Sequence, residues 1–73
     1  MSKQMVALRK LSKFYDYNRG KIADSLGVEI GAVYMWFARG KISKQGAVMA
    51  EKATNGKIKA AQLRPDIEEF KGV

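Results

Sequence analysis

The 73-residue chain contains no cysteine and no histidine. Their absence removes disulfides, thiolate nucleophiles, the usual zinc ligand sets and the commonest general base together. An enzyme is therefore the least supported reading, and neither a cofactor nor a metal is expected. No stretch approaches the roughly 18 apolar residues of a membrane-spanning helix, and the N-terminus lacks the apolar core of a signal peptide. A cytoplasmic location without a membrane partner is expected; the lack of cysteine agrees with a reducing compartment without requiring one. Gly20, Gly27, Gly31, Gly40, Gly46 and Gly56 are spaced for neither a Walker loop nor a dinucleotide fingerprint.

Positive charge is what the chain has in excess. Fourteen Lys and Arg against seven Asp and Glu give a formal charge of +7, an imbalance that favours a nucleic acid or another phosphate-rich partner. Charge alone does not separate such a protein from a merely soluble basic one, so the residue pattern has to decide. At this length the chain, residues 1–73, is read as one domain with a small core and modest stability.

The apolar spacing predicts an all-α bundle of about five short helices. Val6, Leu8, Leu11 and Phe14 fall partly at helical intervals between Lys3 and Tyr15, with Arg9, Lys10 and Lys13 forming the solvated face. Asp16 to Asn18 supply turn and capping chemistry. Arg19 to Leu26 place Ile22, Ala23 and Leu26 on one stripe, and Gly27 suits the left-handed conformation that ends a helix. A third helix fits Glu29 to Ala38, with Val33, Trp36 and Phe37 inward. After the break at Arg39-Gly40-Lys41, Ser43 is the expected N-cap of a fourth helix running to about Thr54, with Ala47, Val48 and Ala50 as its small-residue face. Asn55-Gly56 either ends that helix or turns a β-hairpin. Lys57 to Leu63 reads as a short helix or an extended arm, in which Lys57 and Lys59 would give a flexible extra grip on a nucleic acid such as DNA. Pro65 limits helix continuation, and residues 68–73 have little to bury and are expected to fray.

The informative stretch is Arg19 to Ala38, RGKIADSLGVEIGAVYMWFA. A helix-turn-helix needs a small residue where its helices cross, here Ala23, and a residue at ease with positive φ in the turn, here Gly27. Ile22, Leu26, Val28, Val33 and Trp36 supply the apolar support that pins the second helix on the first.

This stretch resembles the helix-turn-helix of phage Cro repressors and of the YdaS-type antitoxin group. The later Thr54-x-Gly56 and Leu63-Arg64-Pro65-Asp66 are similar to the C-terminal signature of those proteins. The resemblance implies a mostly helical fold whose second motif helix enters the major groove of operator DNA. Carried over by position, it marks Glu29, Ile30, Gly31, Tyr34, Met35 and Ala38 as base-contact candidates. The set contains no Arg, Lys, Asn or Gln, the usual readers of base edges. Ile30 and Met35 suit thymine methyl groups, and Glu29 suits a cytosine amino group or simply the helix start. The Tyr34 hydroxyl suits a base edge or a phosphate, and Gly31 suits a close approach of the duplex. Arg19 and Lys21 at the start of the first motif helix, and Arg39, Lys41 and Lys44 just beyond the second, are the phosphate-contact candidates.

Two functions follow as expectations. One is a homodimeric Cro-type repressor on a near-palindromic operator. The other is an antitoxin acting through a protein partner while regulating its own promoter. Single-stranded RNA binding fits less well, because the aromatic residues are largely claimed by the core. The dimer surface is sought in residues 47–53 and 57–70, with Phe37 a further candidate for a partner contact.

Overall fold

In the computed structural model, which describes residues 3–70, the apolar stripes of the sequence become five helices around one core. They are α1 (Lys3–Phe14), α2 (Arg19–Leu26), α3 (Ile30–Arg39), α4 (Lys44–Ala53) and α5 (Ala60–Leu63), followed by a single 3-10 turn at Glu68–Phe70. No strand occurs among the described residues, so the all-helical expectation is the fold that forms.

Each helix boundary has a local cause. At the end of α1, Asp16 and Tyr17 adopt left-handed backbone in succession, with φ of 55° and 59°. Such a conformation is uncommon for Asp and strained for an aromatic residue. The reversal delivers Asn18 as the N-cap of α2, where its side chain accepts from the Lys21 N–H at 3.0 Å. Glu29 sits one residue before α3 as its N-cap and makes no side-chain capping bond. The Ser43 hydroxyl accepts from the Gly46 N–H at 3.0 Å and starts α4.

The hairpin alternative at Asn55-Gly56 does not form. Both residues are left-handed, at φ of 55° and 81°, and the Gly56 N–H donates to the Glu51 carbonyl at 2.8 Å, closing α4. Thr54, 1% exposed, stitches the exit: its hydroxyl donates to the Ala50 carbonyl at 2.8 Å and accepts from the Ile58 N–H at 3.2 Å. An extended arm does not form either, because Ile58 is buried and α5 begins two residues later. Lys57 lies over the Phe14 ring, and the Lys59 backbone N–H donates to the Gln62 side chain. Phe70 packs against the core, and residues 71–73 of the stretch expected to fray lie outside the described residues.

The core is built from Leu8, Leu11, Ile22, Leu26, Val33, Ile42 and Leu63, each essentially inaccessible to solvent. α2 packs on α3 and α4, while α5 bridges α4 and α1. Gly46 lets α4 come close: a Cβ there would lie 2.8 Å from the Trp36 ring and 2.9 Å from Ile42. No helix among the described residues is long and apolar enough to cross a membrane.

Candidate nucleic-acid interface

The turn between α2 and α3 is fixed by backbone chemistry. Gly27 closes α2 at φ 69°, and its N–H and that of Val28 both turn back to the Ala23 carbonyl. Ile22, Ala23, Leu26, Val33 and Trp36 are buried between the helices, and Val28 is half-buried beside them. The outer face of α3 is thereby held rigidly while its side chains stay in solvent.

On that face the structure brings together Glu29, Ile30, Gly31, Tyr34, Met35 and Ala38, all exposed. Ile30, Tyr34 and Met35 show 46%, 54% and 46% of their surface, a concentration of large apolar groups on one helix that marks a contact surface. Nothing in the protein lies within 4 Å of where a Gly31 Cβ would stand. The domain's own packing therefore does not require glycine there.

The cations divide into two groups. At the start of α2, Lys21 is exposed, whereas Arg19 is half-buried and lies across α3. Its guanidinium carbon stands 4.8 Å from the Phe37 ring centre and 5.6 Å from that of Tyr34, and its Nε is buried without a hydrogen-bond partner. Sequence reasoning marked Arg19 for its charge; the aromatic support is a separate property, since it needs α2 and α3 folded together. At the end of α3 and beyond it, Arg39, Lys41 and Lys44 are exposed. Lys44 also pairs with Glu69 at 2.6 Å, a contact between solvated groups that a phosphate can compete with.

The Leu63–Asp66 stretch works differently. Leu63 is fully buried. The Arg64 fork donates from Nη1 to the Ile42 carbonyl at 2.8 Å, and from Nε and Nη2 to the two Asp66 oxygens at 3.0 and 2.8 Å. This tethers the C-terminal segment to the chain leaving α3. The Arg64 hydrogen bonds hold the Asp66 carboxyl well below its usual 3.8, at about 2. Nothing in the sequence pattern signals the Ile42 partner, 22 residues away. The signature's side chains are therefore engaged within the protein, holding the C-terminal segment to the loop that follows α3.

No curated protein and no solved structure matches the chain significantly. A family model described as the bacterial toxin YdaS matches residues 18–71. The match opens on the N-cap of α2 and takes in the helix-turn-helix, Thr54, Gly56 and the Arg64 tether. Because it covers most of the chain, this protein belongs to the YdaS family.

Proposed function

We propose that this protein is a cytoplasmic, sequence-specific regulator that binds double-stranded DNA with α3 in the major groove, occupying a near-palindromic operator as a homodimer in the manner of a Cro repressor. The observation that carries the reading is the shared exposure of Glu29, Ile30, Gly31, Tyr34, Met35 and Ala38 on the second helix of a capped helix-turn-helix. Cations at both ends of that face suit phosphates. Ile30 and Met35 suit thymine methyl groups, and Glu29 suits a cytosine amino group. One protomer reads a few base pairs, and two protomers about one helical turn (~34 Å) apart combine their half-sites. Repression follows from occupancy.

Selection of bound fragments from a random duplex library at two salt concentrations tests this. The expected result is an enriched, near-palindromic sequence. If a dimer neutralises about six to eight phosphates, log K should fall with log salt at a slope of about −5 to −7. Binding without sequence enrichment, or independent of salt, overturns the proposal. Tyr34→Ala should relax base preference, whereas Lys41→Ala should weaken all sequences about equally.

A second reading is favoured by one feature, the absence of Arg, Lys, Asn and Gln from this largely apolar face. It makes the protein an antitoxin that binds a protein partner and also controls its own promoter. Stable co-purification of a protein encoded next door, with the operator face still competent, would select it.

A further inference from the structure

The 12-residue helix α1 carries Lys3, Arg9, Lys10 and Lys13 and no acidic residue. All four cations are exposed, and among the described residues none of them forms an ion pair. From periodicity alone they are a solvated face. The structure adds a neighbour. A groove of about 750 Å³ runs between Arg9 and Lys13 on one side and Tyr17, Arg19 and Phe37 on the other. A second groove leads from Tyr17 and Arg19 along the start of α2 to Ile30 and Tyr34. The two meet at Tyr17 and Arg19, so the cationic face of α1 continues into the exposed face of α3.

We propose that α1 forms an outer half of the DNA footprint, with the phosphodiester backbone flanking the operator lying in this groove against Arg9 and Lys13. The proposal rests on the operator-binding reading above, and it concerns a helix that lies outside the residues matched by the family. Three observations select a duplex backbone as the occupant. Arg9 and Lys13 are one helical turn apart and repel each other, a repulsion that a polyanion relieves. The exposed large apolar side chains of α1 among the described residues are Val6, at 40%, which stands between cations, and Phe14, at 43%, which has Lys57 over its ring, so a partner helix would find little uncovered apolar surface to bury. The larger apolar group of the groove, Phe37, already has the Arg19 guanidinium over its ring.

The test uses the full chain and the selected operator. Arg9→Ala/Lys13→Ala, both solvent-exposed positions, should weaken operator and random duplex by the same factor, on the order of ten-fold or more. It should flatten the salt slope by about two per subunit, since each lost phosphate contact removes about 0.9. Hydroxyl-radical protection should shorten at both flanks and persist at the centre. Lys52→Glu, which lowers the charge by the same two units at an exposed position away from the groove, should keep the wild-type footprint. Arg9→Lys/Lys13→Arg should restore slope and footprint, because backbone contact needs a cation and not a particular head group.

A double variant with wild-type slope and footprint overturns the α1 contact while operator binding stands. So does one that keeps both but loses a co-purifying protein partner, which would reassign the face. If the wild-type chain selects no duplex, the operator reading fails first and the α1 proposal falls with it.

Discussion

Between Leu63 and Asp66 the side chains are bonded or buried within the protein: Leu63 fills the core, and Arg64 holds both Asp66 and the Ile42 carbonyl. Along the outer face of α3, Ile30, Tyr34 and Met35 stand about half in water. Both stretches carry the family resemblance, yet one is satisfied and the other is not. A residue type that recurs because the fold needs it finds its partner inside the domain. A large apolar residue kept in solvent on a rigid helix, in a cluster with others, is a candidate for contact with a partner. The signature therefore accounts for how the C-terminal segment is held to the loop after α3, and the exposed face of α3 is where the proposed function would act.

That contrast can be broken from either side. Leu63→Ala should give the largest effect, a loss of about 2–5 kcal/mol from the cavity and the lost burial. It should lower the melting temperature by many degrees and leave base preference in the folded fraction unchanged; altered preference would mean that the signature reads DNA. Arg64→Ala should cost about 1–3 kcal/mol, because the Ile42 carbonyl loses its donor and Asp66 its partner. Gly31→Ala should act in the opposite sense, stabilising the domain by about 1 kcal/mol through helix propensity while weakening operator binding, since the added methyl would stand in open space that the proposed duplex would occupy. A stabilised variant with undiminished affinity would remove Gly31 from the contact surface.

The smallest effect is the pH dependence of the Arg64–Asp66 pair. Asp66 is depressed from 3.8 to about 2, so its stabilising contribution is complete above about pH 4 and is lost as pH falls through about 2. Melts of wild type and Asp66→Asn should therefore differ most above pH 4 and converge toward pH 2. Curves that stay parallel across this range would show that the pair does not stabilise the folded state.

The sequence already displayed most of this architecture, because helices of eight to twelve residues repeat their apolar spacing often enough to be recognised and their ends carry Asn18, Gly27 and Ser43. The four-residue α5 completes barely one turn, too little for a period, so helix and arm were equally compatible with residues 57–63. Gly46 is illegible for another reason. Local propensity reads glycine inside a helix as a cost, whereas its use here is to admit the Trp36 ring from α3. Glu29 at the N-cap and the exposed Ile30, Gly31, Tyr34, Met35 and Ala38 of α3 were legible through the resemblance. The Arg19 stack was not, since Tyr34 and Phe37 lie on a different helix. Tyr17 in left-handed backbone was also hidden, for an aromatic residue gives no sign of that conformation.

The Arg19 stack also bears on the entropy of binding. Lys21, Arg39 and Lys41 project into water, and each must give up rotamer freedom when it meets an anion, at about 0.5–1.5 kcal/mol per side chain. Arg19 has surrendered much of that freedom in the unbound protein, with its guanidinium laid over Phe37 and Tyr34 and its Nε enclosed. Its charge waits in position while the others have to be caught. Among the cations around α3, it is the one that can serve as a fixed point of register from the first encounter.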